Sequence, residues 1–362
     1  MKEITYLTGL RFLAAFYVFV FHMYIHGYYK NFPRGVEAIV GQGALGVNVF
    51  FVLSGFLLAY SHLKDFSDER FQGVGYFRRF LAKSLARIYP VYFVGMLLFL
   101  LVSFGLNFVP AKLPLIVVLN IFMLHSWVPS LAMEWYGGGS WSISTEMFFY
   151  LTFPLLMPLL VRIKTANTLF LLLSITIVLA AIPGIWYNYT CTDDLTKFAL
   201  VYNFPLARAP EFIAGMFTGL LVLRFGWRVP VWGALLALGM TCIYLAFFGF
   251  RLGGYVVHNW AVLPTIVLLL GCLAYSPPSF VFNWLGSRIM VYLGRVSYSF
   301  YIIQIVLLDT SGILWRRGII PHVVWWIVPL LFFVNLGAAV IMYELIEKQM
   351  HKRFLSWLLP AR

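Results

Sequence analysis

Apolar runs of about twenty residues follow one another along the whole chain, separated by short polar segments. A helix of that length crosses the hydrocarbon core of a bilayer, and helices satisfy their own backbone hydrogen bonds there. The pattern predicts an all-α, polytopic integral membrane protein with about ten transmembrane helices. We expect one domain, residues 1–362, with no appended soluble domain. The predicted spans are 6–28, 43–63, 87–106, 140–161, 167–185, 206–224, 231–250, 256–275, 290–309 and 323–346.

The segment 113–129 decides on which side of the membrane the later loops lie. It is short, and Pro114 and Pro129 bound it. If it does not cross and the N-terminus is cytoplasmic, most basic loop residues become cytoplasmic, as the positive-inside rule requires. We therefore expect 113–129 to be re-entrant or peripheral, both termini to be cytoplasmic, and 64–87 to be a cytoplasmic loop. That loop would contain Lys64, Arg70, Arg78, Arg79, Lys83 and Arg87.

Composition supports a membrane protein and narrows its partners. Hydrophobic residues make up 62% of the chain and charged residues 11%, and the mean hydropathy is +0.88, which is too apolar for a soluble core to enclose. The net charge of +13 comes from basic residues in short loops, so we expect no nucleic-acid partner. Cys242 and Cys272 fall in spans and Cys191 in a loop, so we expect neither a disulfide framework nor a metal site.

Two ionisable residues, Arg11 and His22, lie inside the first apolar run. Ionisable groups are costly in hydrocarbon and commonly mark functional sites there. A spacing of eleven residues returns a helix to nearly the same face, roughly 16 Å further along its axis. The pair suits a ligand with an anionic end and a reactive end. The alternative is an Arg that extends to the membrane surface and an unrelated core His.

Polar residues of other spans fall at matching depths. His22 lies roughly 22 Å above the inner boundary of the hydrocarbon core, and Glu146 about 9 Å below the outer one, so the two levels agree. Asn48 and Gln304 are predicted at similar levels. Glu146 could instead be a structural carboxylate paired with an Arg. The residues predicted at the cytoplasmic face are Arg11, Lys83 and Arg87.

These residues carry a resemblance to a known family. The run from Arg11 to His22 resembles the R-x10-H signature of the membrane acyltransferase 3 family, bacterial O-acyltransferases of surface glycans. Further similar segments follow in the expected order: Gly43 to Phe56 (GxxGVxxFFVLSGF), Arg87 to Pro90 (RIYP), Ser140 to Glu146 (SWSLxxE), Arg208 to Gly215, and Leu293 to Tyr301. Departures are Asn48 where many members have Asp, Gln304 where many have His, and Ser84 at the first position of an R-x-x-R pair.

The resemblance implies a mechanism. No cofactor would be permanently bound, and acyl-CoA, with acetyl-CoA as the default, would be the donor. Its phosphates would bind Arg11, Lys83 and Arg87. His22 would be the general base, with Glu146 orienting its imidazole and Arg11 completing the catalytic set. The residues expected to bind the acceptor or stabilise the oxyanion are Asn48, Ser140, Trp141, Ser142, Tyr298 and Gln304.

The implied acceptor is a sugar hydroxyl of a surface polysaccharide, a lipid-linked glycan or a glycosylated metabolite. The implied location is the bacterial cytoplasmic (inner) membrane, among membrane lipids and with polysaccharide-assembly proteins as candidate partners. The main alternative is a transporter or flippase for a glycolipid or acidic solute, since charges within the membrane also mark substrate pathways. A third reading, a membrane scaffold, would not need His22. Arg208 and Glu211, three residues apart, could simply pair with each other.

Overall fold

The computed structural model describes residues 3–28, 32–67, 74–190, 194–275, 279–320 and 326–359, and every regular element in these ranges is helical. Ten of the described helices or helical stretches are long and apolar enough to cross a membrane. The predicted all-α polytopic fold is therefore confirmed. The helices are α1 (Thr5–Ile25), α2 (Arg34–Val40), α3 (Gly46–Ser67), α4 (Val74–Gly105), α5 (Leu113–Ile121), α6 (Gly137–Leu160), α7 (Ala166–Thr190), α8 (Leu195–Tyr202), α9 (Pro205–Phe225), α10 (Val231–Phe248), α11 (Asn259–Leu273), α12 (Phe280–Asn283), α13 (Arg288–Arg316), α14 (Ile327–Met342) and α15 (Lys348–Leu358).

The segment 113–129 contains a helix that is too short to span. Helix α5 has nine residues and a length of roughly 13 Å, less than half of a hydrocarbon core of about 30 Å. Pro114 lies in its first turn, and the chain changes direction after the helix at Met123, which has a φ of 54°. Ten described helices or helical stretches are long and apolar enough to span, and if each of them crosses once, both termini lie on the same side of the membrane. That this side is the cytoplasm stays a prediction.

The expected cytoplasmic loop 64–87 is largely helical, which corrects the sequence prediction. Helix α3 continues to Ser67 and α4 begins at Val74. A search for uncharged runs missed this part of α4 because Arg78, Arg79 and Lys83 interrupt it, although Phe80 and other apolar residues between them are buried. Arg70 and Cys191 lie outside the described residues.

A buried polar cluster joins α3, α9 and α11. Arg208 pairs with Glu211 at 3.0 Å, which confirms the pairing that their spacing suggested. Arg208 Nη2 also donates to Asn48 Oδ1 at 2.6 Å, and Asn48 Nδ2 donates to Asn259 Oδ1 at 2.6 Å. Asn259 in turn donates to Glu211 at 2.8 Å. All four side chains are essentially inaccessible to solvent, so each polar group is satisfied within the core as burial requires.

Glycines bring α3 and α9 into close contact. A Cβ on Gly55 would overlap the carbonyl oxygen of Phe212, and a Cβ on Gly215 would overlap that of Val52. Small residues at such positions let transmembrane helices approach until their backbones touch. This contact holds Asn48 of α3 beside Arg208 of α9.

We expect Gly215→Ala to destabilise the protein by about 1–3 kcal/mol, because the added methyl group must push α3 and α9 apart. Thermal unfolding of the protein purified in detergent measures the change. Gly239→Ala on α10 is the matched control, since nothing lies within 4 Å of a Cβ at that position. Equal unfolding temperatures for the two variants would contradict this view of the α3–α9 contact.

Candidate active site

Two cavities lie one above the other along α1, between α1, α6 and α13. The inner cavity contains Arg11, and the outer cavity contains His22. The two residues that stood out in the first span therefore line two cavities at different depths, roughly 16 Å apart along the helix axis.

The inner cavity presents two basic side chains without partners. Neither Arg11 nor Arg87 forms an ion pair or side-chain hydrogen bond within the described part of the chain, and both line the cavity. Arg87 is solvent-accessible although it lies on a spanning helix. Glu146 lines the same cavity and accepts hydrogen bonds from Tyr150 at 2.6 Å and from Ser54 at 3.5 Å. Two unpaired guanidinium groups facing one space within a membrane are suited to an anionic ligand.

The outer cavity has a mixed polar lining. His22 of α1 and His26, which directly follows α1, line it together with Gln304 and Asp309 of α13 and with Glu134. His26 Nε2 lies 3.4 Å from Asp309 Oδ1. Gln304 is fully buried, and neither its amide nitrogen nor its amide oxygen has a hydrogen-bond partner in the described ranges. An unsatisfied buried amide costs free energy, and this amide has both its donor and its acceptor capacity free.

The side chain of Tyr301 contacts residues of both cavities. Ser142 and Tyr301 line the inner cavity, and Gly139 lines the outer one. The Tyr301 hydroxyl donates to the Gly139 carbonyl at 2.9 Å and lies 2.9 Å from Ser142 Oγ. A Cβ at Gly139 would meet the side chain of Ile305 at 2.6 Å, so α6 and α13 touch here.

The predicted site residues divide between these cavities. Arg11, Arg87, Glu146, Ser142 and Tyr298 line the inner cavity. His22 and Gln304 line the outer one. The expected common level of His22 and Glu146 is therefore wrong, because α6 begins at Gly137 rather than Ser140 and places Glu146 about 14 Å along the helix instead of about 9 Å. The geometry does not support Glu146 as the group that orients His22.

Asn48 and Trp141, predicted to bind the acceptor or the oxyanion, line neither cavity. Both amide atoms of Asn48 are used within the buried cluster, and the residue is only 1% exposed. Trp141 packs against the guanidinium group of Arg208 at 5.4 Å. These assignments are corrected to structural roles, because sequence spacing gave the depth of each side chain but not its direction around the helix.

Ser140 and Lys83 also line neither cavity. Ser140 is fully buried, with its hydroxyl 3.4 Å from His125 Nε2 and 3.5 Å from Asn120 Oδ1. Burial lowers the pKa of the His125 imidazole to about 4, so His125 is neutral at physiological pH and serves this contact as an uncharged group. Lys83 is exposed and lies one helical turn before Arg87 on the same face of α4.

Sequence reasoning missed three residues of the site: Tyr301, His26 and Asp309. Tyr301 was part of a recognised segment, but nothing in the sequence showed that its hydroxyl would reach α6. His26 follows His22 by four residues, a spacing that places both on one face of α1. Asp309 is the lone acidic residue of the ninth predicted span, and that position was a usable signal.

The fold and cavities together define a multi-pass membrane protein with two internal cavities that contain ionisable side chains. The chain belongs to the acyltransferase 3 family: the family model, described as an acyltransferase domain, matches residues 4–344. The protein is therefore a membrane acyltransferase.

Relatives agree with this assignment. The acyltransferase MdmB of Streptomyces mycarofaciens is 28% identical over 83% of this chain and 78% of its own length. Nodulation protein 10 of Rhizobium leguminosarum bv. viciae is 31% identical over 44% of each chain. A putative O-acetyltransferase of Staphylococcus aureus (strain COL) is 22% identical over 95% of this chain and 56% of its own length. The chain thus spans about half the length of the latter two relatives. No solved structure matches the chain.

We expect Gln304→Leu to lower acyl transfer by about tenfold while leaving thermal stability equal or higher, because it removes an unsatisfied buried amide that only a ligand would use. Gln304→His, which still offers hydrogen bonds, should retain activity. The matched control is Gln42→Leu, which loses a 2.5 Å hydrogen bond to the Gly249 carbonyl and should unfold at a lower temperature. Full activity of Gln304→Leu would show that Gln304 does not contact a substrate.

Proposed function

We propose that this protein is an O-acyltransferase that moves an acyl group, with acetyl as the default, from cytoplasmic acyl-CoA to a sugar hydroxyl. The acceptor would belong to a surface polysaccharide, a lipid-linked glycan or a glycosylated metabolite. The observation that carries the proposal is the stacking of two cavities along α1, one lined by unpaired Arg11 and Arg87 and the other by His22. The name of the Staphylococcus aureus relative, a putative O-acetyltransferase, supports the reaction class.

The inner cavity fits the anionic donor. Arg11 and Arg87 present guanidinium groups, whose planar geometry favours two hydrogen bonds to one phosphate. Lys83, one turn nearer the N-terminal end of α4, would attract the donor toward the cavity mouth. Glu146 would balance part of the positive charge and so reduce the repulsion between the two guanidinium groups. Acyl-CoA is the donor that combines phosphates with a reactive thioester, as the family resemblance also implies.

The outer cavity fits the acceptor and the base. A hydroxyl hydrogen-bonded to Gln304 would attack the thioester carbonyl carbon as His22 removes the hydroxyl proton. The carbon–sulfur bond then breaks, and the imidazolium of His22 returns that proton to the departing thiolate. The ester stays on the acceptor, and free CoA leaves. The thioester would reach His22 by way of Tyr301, whose hydroxyl contacts residues of both cavities.

The location in the bacterial cytoplasmic membrane is part of the same proposal. If both termini are cytoplasmic, as the basic loops predict, the inner cavity would face the compartment that contains CoA and the outer cavity the opposite side. Acyl-CoA is a substrate in this scheme, and no permanently bound cofactor is required.

We expect His22→Ala to lower acyl transfer by about 10² to 10⁴, the usual cost of losing a general base, while acyl-CoA binding is retained. Arg11→Ala should instead weaken acyl-CoA binding, with activity recovered at saturating donor. Transfer of radiolabelled acyl groups and equilibrium binding of CoA by purified protein measure these effects.

The control for the His22 variant is His351→Ala, which removes a histidine far along the chain from both cavities. Activity of His22→Ala within about threefold of wild type would exclude His22 as the base. A transporter or flippase would release no CoA from acyl-CoA in this assay, so the absence of thioester cleavage by the wild-type protein would favour that alternative.

A further inference from the structure

The outer cavity contains a His–Asp pair that the proposed reaction does not yet use. His26 Nε2 and Asp309 Oδ1 are 3.4 Å apart, and both residues line the cavity with His22. His26 directly follows the end of α1 and lies four residues after His22, so their side chains are neighbours. Asp309 and Gln304 are both on α13, which faces α1 along this cavity.

A neighbouring glycine leaves room for the contact between His26 and Asp309. Gly312 of α13 lies beside the His26 ring, and a Cβ there would meet His26 Nδ1 at 2.9 Å. The missing side chain therefore leaves room for His26 to reach Asp309. His26 in turn limits the directions that the Asp309 carboxylate can take within the cavity.

Other charged groups face the same space. Glu134 lies in the segment before α6, and Arg316 lies on α13 two turns beyond Asp309. Electrostatic interaction with His22 comes from Asp309 and, with opposite sign, from His26. Asp309 is thus the carboxylate placed to act on the charge of His22, whereas Glu146 lies in the inner cavity.

We propose that Asp309, held by His26, is the positioning residue that stabilises the protonated form of His22 during acyl transfer. The inference rests on the proposed function. When the acceptor hydroxyl attacks the thioester, its proton moves to His22, which carries one positive charge until the departing thiolate takes that proton. The negative charge of Asp309 lowers the energy of this state, because it lies in the same cavity as the positive charge of His22.

The test measures acyl transfer and donor binding of Asp309→Asn. This change preserves size but removes the charge, so we expect the limiting rate to fall about 10- to 100-fold while KM for acyl-CoA and CoA binding stay as in wild type. Asp309→Glu restores the carboxylate and should recover most of the rate. The matched control is Glu37→Gln, which removes a carboxylate that contacts Tyr24 of α1 and lies outside both cavities; its rate should match wild type.

The outcomes separate the two proposals. If the wild-type protein transfers acyl groups and Asp309→Asn does so at the same limiting rate, the role of Asp309 is refuted and the proposed function stands. A rate loss that Asp309→Glu does not recover, together with a lowered unfolding temperature, would show a structural role and also refute the inference. Absence of transfer by the wild-type protein would refute the proposed function, and the role of Asp309 with it.

Discussion

A charge inside a membrane must be paired or hydrated, and this constraint organises the whole bundle. Arg208 shows the first solution: it is fully buried and bonds to Glu211 and Asn48. Arg11 and Arg87 show the second, since both face a cavity and have no side-chain partner within the described ranges. The paired cluster joins α3, α9 and α11 through buried hydrogen bonds. The unpaired guanidinium groups of Arg11 and Arg87 instead face the inner cavity.

The open space is distributed over two cavities that share the same helices. Helices α1, α6 and α13 each contribute to both cavities. The Tyr301 hydroxyl bonds to the Gly139 carbonyl and so connects a residue of the inner cavity with one of the outer cavity. In the proposed reaction, these shared helices hold the donor and acceptor sites in a fixed order along α1.

The sequence predicted best those features that depend only on the length of apolar runs and on the helical repeat. Run lengths predicted the spans, and the spacing of Arg11 and His22 correctly predicted two polar side chains on one helix face at two depths. Residue-by-residue depth was less reliable, because the start of α6 at Gly137 moved Glu146 into the inner cavity. The assignment of Asn48 to the acceptor site failed for another reason: its partner Arg208 is distant in sequence, and only tertiary packing brings α3 beside α9.

Labelling of single cysteines with a membrane-impermeant thiol reagent tests the two-cavity account most directly. In a protein whose three cysteines are replaced, Ser54→Cys reports on the inner cavity and Ile25→Cys on the outer one. We predict that Ser54→Cys reacts only with reagent on the cytoplasmic side and is protected by acyl-CoA, whereas Ile25→Cys reacts only from the opposite side and is not protected. Labelling of both positions from one side, or no protection of Ser54→Cys by acyl-CoA, would contradict the account.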